Sequence, residues 1–176
     1  MLIARRPILA SLLIAGFAAV AVSVGQAQAE QMPAPTGDVI LRISGAITNT
    51  NVDGALALDA DLLASLPQHS LTTGTMWTEG TATYSGVLLR DLLAAAGTTG
   101  TEMTLRAVND YHITMPTSAV ADDGPLLAYL VDGKTLSLRD KGPIWLIYPF
   151  DDVPEYRTEE FFARSIWQLD RIEVTD

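Results

Sequence analysis

The strongest hydrophobic pattern of the chain is helical and lies between residues 87 and 96. The leucines of this stretch recur at helical spacing, and they are Leu88, Leu89, Leu92 and Leu93. This spacing places them on one face of an α-helix, with Ser85 as a candidate N-cap and Gly97 as the residue that ends the helix. The pattern therefore predicts an amphipathic helix over Val87–Ala96 with one buried face.

A second, shorter helix is predicted before it in the chain. Asp59 or Asp61 can cap this helix, because an aspartate side chain accepts hydrogen bonds from the free backbone N–H groups of a first helical turn. The helix runs through Leu66 and ends at Pro67, since proline cannot continue it.

Most other apolar residues fit β-strands. Residues 38–47 alternate between apolar and polar side chains, whereas 125–131 is a continuous apolar run typical of a strand that is buried on both faces. The Asp132-Gly133 pair after that run is a typical hairpin turn. Further strands are predicted over 70–77, 103–108, 112–115, 144–148 and 166–174. Strands outnumber helices and do not alternate regularly with them, which predicts a single α+β domain with a mixed β-sheet and short helices.

The N-terminus has the pattern of an export signal. Two arginines at positions 5 and 6 precede an apolar run, and Ala27-Gln28-Ala29 supplies the small residues of a cleavage site. We therefore predict a signal peptide over 1–29, a flexible lead-in over 30–37, a domain over 38–176, and a periplasmic or secreted protein without a membrane anchor after cleavage. An uncleaved anchor is the alternative for the apolar run. Ordinary secretion and twin-arginine export both stay open.

Composition narrows the classes of partner and chemistry. The chain has 21 acidic and 11 basic residues, a net charge of −10, and removal of residues 1–29 would bring that charge to about −12. Such a surface repels nucleic acids and anionic membranes, so neither is an expected partner. The chain has no cysteine, which excludes disulfides, zinc–thiolate clusters and thiol nucleophiles.

Three segments carry a family resemblance. They are YSGVLLRDLLAAAG (84–97), NDYHITMP (109–116) and DGKTLSLRDKGPIWLIYP (132–149). With Trp77 before them and a closing strand over 167–174, their order resembles the oxidoreductase molybdopterin-binding domain family, which has the sulfite oxidase-type fold. The resemblance implies this fold and, in the members that bind the cofactor, redox chemistry at molybdenum.

The resemblance also implies a metal site that this chain does not match. Cofactor-binding members of the family place a cysteine thiolate on molybdenum just after the strand that corresponds to 72–76, where this chain has Thr75 and Met76. The family's loop after that strand is also shortened. At two further positions the family has a histidine and an arginine, where this chain has Lys141 and Ile144. We therefore expect no metal and no bound cofactor, and molybdopterin is the alternative.

The candidates for ligand binding are aromatic and polar residues of the matching segments. They are Trp77, Asn109, Asp110, Tyr111, His112, Lys141 and Tyr148. Aromatic rings that line a cleft often bind a small ligand, and His112 could act as an acid or base. Core packing and ordinary hydrogen bonds are the alternative roles for these residues. A basic cluster could bind an anion or form a solvated hairpin, and it consists of Lys134, Arg139 and Lys141. No catalytic residue is assigned.

Three functional hypotheses follow. The first is a secreted or periplasmic molybdopterin-domain fold without the metal-binding residues, which binds a small-molecule or anionic ligand as a sensory or accessory module. The second is a genuine molybdopterin-dependent oxidoreductase, with non-cysteine metal ligation or a partner subunit. The third is a protein-interaction module that uses its acidic surface to contact an envelope sensor protein.

Overall fold

The computed structural model describes residues 32–176. The predicted signal peptide, its cleavage and its export route lie outside these residues. In chain order the helices and strands are β1 (Leu41–Gly45), β2 (Leu56–Leu58), α1 (Ala60–Ser65), β3 (His69–Gly74), β4 (Thr81–Leu88), α2 (Leu89–Ala96), β5 (Glu102–Ala107), β6 (His112–Pro116), β7 (Leu126–Val131), β8 (Lys134–Thr135), β9 (Trp145–Ile147), α3 (Glu159–Arg164) and β10 (Leu169–Thr175). Short 3₁₀ turns cover Thr117–Ala119, Leu138–Asp140 and Pro154–Tyr156.

The strands of the described region form two sheets. The first has the order β2-β1-β10-β5-β6, and its β1 and β10 are parallel while the other pairs are antiparallel. The second is antiparallel, with the order β3-β4-β7, and both β8 and β9 pair with the outer edge of β7. The predicted α+β domain with a mixed sheet and short helices is confirmed, and the strands divide between two sheets.

The main core lies against the first sheet, α2 and part of the second sheet. Alternate residues of β1, Leu41 and Ile43, are fully buried, as the alternating pattern predicts. The apolar face of α2 is also buried, and it consists of Leu89, Leu92, Leu93 and Ala96. The predicted buried strand is confirmed in β7, where Leu126, Leu127 and Ala128 are all buried. No helix among the described residues is long and apolar enough to cross a membrane.

The start of α2 differs from the prediction. Ser85 is not an N-cap, because β4 continues through this position to Leu88 and pairs with β7. The helix begins at Leu89, whose backbone N–H donates to the Pro125 carbonyl at 2.9 Å. Its end is as predicted, with Gly97 in the left-handed conformation at φ +62°. The apolar residues at the start of the predicted helix therefore belong to strand β4, because they pair with β7, although the helical pattern also fits them.

Of the two predicted candidates, Asp59 and Asp61, the structure shows that Asp59 caps α1. Its side chain accepts hydrogen bonds from three backbone N–H groups, those of Leu62 at 2.9 Å, Thr36 at 2.9 Å and Gly37 at 2.8 Å. Thr36 and Gly37 belong to the predicted flexible lead-in, so this end of the lead-in is attached to the domain. These bonds, that of Leu62 first, hold the pKa of Asp59 below its ordinary value of 3.8.

Asp59→Asn should make stability less dependent on acid pH. Because the folded-state pKa of Asp59 is lowered, its ionised form stabilises the fold above the ordinary pKa, and that contribution is lost as the pH falls through the folded-state value. We expect the variant to have a lower urea midpoint than wild type at neutral pH and a shrinking difference below about pH 4. Asp61→Asn in the same turn is the control, since Asp61 is not the cap. Equal losses at neutral and acid pH would contradict this account.

Gly86→Ala should destabilise the second sheet. Gly86 lies where the register between β4 and β7 shifts, and an added Cβ would stand 2.0 Å from the Leu127 carbonyl oxygen. Relieving that overlap requires the two strands to separate, so we expect a loss of about 1–3 kcal/mol in the free energy of unfolding, measured in urea. Gly74→Ala in β3 is the matched control, because the nearest atom to its added Cβ is 3.4 Å away. Similar losses in both variants would refute the close approach at Gly86.

Candidate functional site

The three tryptophans of the chain form one cluster. Trp77 lies in the loop after β3, Trp145 on β9, and Trp167 just before β10. The ring centroids are 5.7 Å apart for Trp77 and Trp167, 5.9 Å for Trp77 and Trp145, and 6.3 Å for Trp145 and Trp167, with the rings edge to face. Trp145 is buried and Trp167 is 37% exposed, so the cluster reaches from the interior to the surface.

Hydrogen bonds hold the Trp145 ring and the backbone of Trp77. The indole N–H of Trp145 donates to the Ser165 carbonyl at 3.1 Å. The backbone N–H of Trp77 donates to the Thr75 hydroxyl at 3.2 Å, and the Thr75 and Thr78 hydroxyls are 2.7 Å apart. The loop after β3 is therefore a closed turn, and it places Trp77 beside Trp145 of β9.

The third ring is held by the residue that follows it. Gln168 has a φ of +56°, and its backbone N–H donates to the Lys141 carbonyl at 2.9 Å. Its side-chain amide donates to the Leu138 carbonyl at 2.8 Å. These bonds join the start of β10 to the loop after β8, and they place Trp167 beside that loop.

A cleft of about 460 Å³ opens at the exposed side of the cluster. We call it the aromatic cleft. It is lined by the rings of Trp77, Tyr111, Phe162 and Trp167 and by the polar side chains of Asn109 and Ser165. Its size and its mixture of many apolar groups with a few polar ones are typical of small-molecule sites, which measure roughly 300–1,000 Å³.

The turn between β5 and β6 forms one wall of the aromatic cleft. Asp110 has a φ of +65°, and the Asn109 side-chain oxygen accepts the Tyr111 backbone N–H at 3.2 Å. The Arg171 guanidinium donates to the Asp110 carboxylate at 3.0 Å and to the Ala107 carbonyl at 3.2 Å. Asp110 therefore holds the turn, while Asn109 and the 53% exposed Tyr111 face the cleft.

A second pocket, of about 370 Å³, lies next to Trp145. We call it the basic pocket, because its lining includes Lys134, Arg139 and Lys141. The Lys141 ammonium stands 5.2 Å from the centroid of the Trp145 ring and 6.0 Å from that of Trp167, which are cation–π distances. The cluster thus contacts both sites, since Trp77 and Trp167 line the aromatic cleft and Trp145 lines the basic pocket.

Tyr84 brings a buried hydroxyl to the basic pocket. Its ring packs edge-on against Trp145 at 5.6 Å, and its side chain is fully buried. The hydroxyl has no hydrogen bond of good geometry within the described residues. Burial raises the pKa of Tyr84, against a smaller opposing effect of the Thr78 and Thr75 hydroxyls. The phenol is therefore neutral at pH 7 and retains a proton to donate.

The structure brings most of the candidate residues into these two sites. Trp77, Asn109 and Tyr111 meet in the aromatic cleft. All three members of the predicted basic cluster, Lys134, Arg139 and Lys141, line the basic pocket.

Three of the ligand-binding candidates, Asp110, His112 and Tyr148, line neither of these sites. Asp110 pairs with Arg171 and holds the turn beside the aromatic cleft. His112 is on β6, exposed, with its Nδ1 3.3 Å from the Asp110 carbonyl oxygen. Tyr148 is buried among other aromatic rings, 5.1 Å from both Tyr156 and Phe161. Burial raises the pKa of the Tyr148 hydroxyl. The positions of His112 and Tyr148 fit the alternatives stated for them, a hydrogen-bonded strand residue and core packing.

Five residues that the two sites use were not among the candidates, and they are Phe162, Ser165 and Trp167 in the aromatic cleft and Tyr84 and Trp145 in the basic pocket. Phe162 on α3 lines the aromatic cleft and contacts Trp77 edge-on at 5.9 Å. Ser165 follows that helix, and Trp145 lies within an apolar strand whose pattern indicates only burial. The signal that could have found Trp145 is the rarity of tryptophan, since the chain has three and all of them meet.

The residues near the cluster do not fit thiolate ligation of molybdenum. The chain has no cysteine, the Thr75 hydroxyl is paired with Thr78, and Met76 is 65% exposed. Ile144, at the position of a family arginine, is fully buried in the core. Among residues 32–176 no group of three or more His, Asp or Glu side chains converges as metal ligands do. Residues 32–176 therefore contain neither a cysteine thiolate, which is the soft anionic ligand, nor a group of His, Asp or Glu side chains that could replace it.

The geometry defines a two-sheet α+β domain with an aromatic cleft and an adjoining basic pocket. The family model of the oxidoreductase molybdopterin binding domain matches residues 49–176, and the chain belongs to this family. A comparison with curated proteins finds no match. The family assignment predicted from the motifs is confirmed, and it covers both sites.

Proposed function

We propose that this protein is a non-catalytic member of its family that binds a small, ring-containing molecule in the aromatic cleft. The observation that carries the proposal is the composition of the cleft, where four aromatic rings surround a space of about 460 Å³ and the Asn109 side-chain amide can donate hydrogen bonds. A flat ring fits such a site because it can stack on Tyr111 or Trp167 while Asn109 bonds to a polar edge.

The rigidity of the walls supports this function. Trp77 is held by the Thr75 hydroxyl, and Tyr111 stands on a turn that Arg171 fastens through Asp110. A pre-formed cleft loses little conformational entropy when a ligand enters, which favours affinity. The periplasmic or secreted location belongs to the same proposal and rests on the N-terminal pattern alone.

The alternative is a molybdopterin-dependent oxidoreductase whose metal is ligated without cysteine or with the help of a partner subunit. Membership of the oxidoreductase molybdopterin binding domain family is the observation that favours it. Fold membership does not by itself fix the chemistry, because activity depends on the residues of the site. The missing thiolate and the buried Ile144 weigh against this alternative.

Metal analysis separates the two functions. Protein purified from its own host should contain no stoichiometric molybdenum and should release no fluorescent pterin on oxidation, because the chain lacks the thiolate ligand. The molybdenum content of another molybdoenzyme from the same cells is the control, since it shows that the cofactor was being made. One molybdenum and one pterin per chain would reject the non-catalytic proposal.

Ligand binding should depend on the ring of Tyr111. Titration with a panel of ring compounds (indole, a purine nucleoside, a pterin and a pyranose sugar), followed by tryptophan fluorescence and calorimetry, should identify saturable binding to wild type. Tyr111→Ala should weaken that binding about tenfold, because it removes one stacking surface. Tyr111 is half exposed, so this change should leave the urea midpoint unaltered.

Tyr111→Phe is the matched variant, since it keeps the ring and removes only the hydroxyl. It should bind the same compound nearly as well as wild type. If Tyr111→Ala and Tyr111→Phe both bind like wild type, or if no compound of the panel gives saturable binding, the aromatic cleft is not the site of such a ligand.

A further inference from the structure

We propose that the basic pocket is a second binding site, which takes a small oxyanion of the phosphate, sulfate or carboxylate class. Its cations come from one short stretch of chain, with Lys134 on β8, Arg139 in the 3₁₀ turn that follows, and Lys141 just after that turn. The site is separate from the aromatic cleft, and it does not depend on the function proposed for that cleft.

The three cations are not neutralised by ion pairs. Within residues 32–176, none of them has a carboxylate oxygen within 4.0 Å, whereas four other arginines, Arg90, Arg157, Arg164 and Arg171, each contact one. Acidic residues outnumber basic ones by 21 to 11 in this chain. Three neighbouring cations without a carboxylate partner in such a chain form a local positive potential, which attracts small anions.

The two acidic residues of the hairpin and loop are engaged by neutral donors. Asp140 also lines the pocket, and its carboxylate accepts the Ser137 hydroxyl at 2.7 Å. The carboxylate of Asp132 accepts the Thr83 backbone N–H at 3.0 Å. Neither carboxylate lies within 4.0 Å of the three cations, and the lining keeps an excess of positive charge because it holds three cations and one carboxylate, that of Asp140.

A buried donor completes the site. The Tyr84 side chain lines the pocket and its hydroxyl is buried. The neighbouring Thr75 and Thr78 hydroxyls form no hydrogen bond of good geometry with it. A buried polar group in that state is costly to the fold, and such groups are often satisfied by a bound water or ligand. An oxyanion in the pocket would accept a hydrogen bond from the Tyr84 hydroxyl together with hydrogen bonds from Arg139 and the lysines.

The backbone fixes the turn from which the Arg139 and Lys141 side chains extend. Lys141 has a φ of +70°, and the backbone N–H groups of Asp140 and Gly142 both donate to the Ser137 carbonyl, at 2.9 Å and 2.7 Å. A Cβ at Gly142 would stand 2.1 Å from the Leu136 carbonyl oxygen, so the loop is closely packed. A closely bonded loop of this kind presents its side chains from fixed positions, which lowers the entropy that binding costs.

Charge and size select a small anion over a polymer. The net charge of −10 repels nucleic acids and other extended polyanions, since their charge would lie along the acidic surface. A pocket of about 370 Å³ suits a single phosphate, sulfate or organic carboxylate. The planar guanidinium of Arg139 can bind any of these through two parallel hydrogen bonds.

Calorimetric titration of the mature protein with phosphate, sulfate or benzoate tests the proposal, with chloride added to keep the ionic strength constant. We expect saturable binding of at least one of the three, and comparison of the titrations shows whether the site favours an inorganic anion or a carboxylate. Arg139→Gln and Lys134→Gln should each weaken the binding about tenfold. Arg106→Gln, which removes a cation from β5 outside the pocket, should bind like wild type.

Amide chemical shifts locate the bound anion. Saturating anion should shift the resonances of residues 134–142 and of the Trp145 indole N–H, because Trp145 lines the pocket and lies under Lys141. Tyr111→Ala should leave this response unchanged, so failure at the aromatic cleft and failure here are distinguishable. Absence of saturable binding for all three anions, equal weakening in Arg139→Gln and Arg106→Gln, or shifts confined to other residues would overturn the proposal.

Discussion

Pairing of the last strand with the first is the constraint on which the structure depends. β10 lies in the middle of the first sheet, parallel to β1 and antiparallel to β5. Without it, β2-β1 and β5-β6 would be two separate pairs, each with an unpaired edge over the core. The fit to β1 is close, because a Cβ at Gly45 would stand 2.0 Å from the Val174 carbonyl oxygen.

The pairing of β10 with β1 and β5 also brings the residues of the candidate site together. Trp167 immediately precedes β10 and meets Trp77 from the loop after β3 and Trp145 from β9. The resulting cluster borders the aromatic cleft and the basic pocket, and Lys141 stands over two of its rings. The chain thus has the fold of its family, and it gathers aromatic and basic side chains beside the loop that holds Trp77. A change of such side chains alters what the site can bind without altering the fold.

Single residues correctly predicted helix ends and turns where that residue type has one characteristic conformational role. Asp59 caps α1, Gly97 ends α2 in the left-handed conformation, and Asp132-Gly133 turns the chain between β7 and β8. The prediction was wrong at Ser85, because Val87 and Leu88 fit a helix or a strand equally well by pattern. Pairing with β7, which lies about forty residues further along the chain, decided between the two.

The sequence by itself determined the family through its motifs and the absence of a thiolate ligand through its composition. It also determined the basic cluster, because Lys134, Arg139 and Lys141 belong to one hairpin and the loop after it. Only the tertiary structure decided that Trp77, Tyr111, Phe162 and Trp167 share a cleft, and that Tyr148 and His112 lie elsewhere. The physical reason is that these residues come from distant segments, whose separation in space depends on which strands pair and in which register. Those long-range pairings leave no periodic signal in the chain.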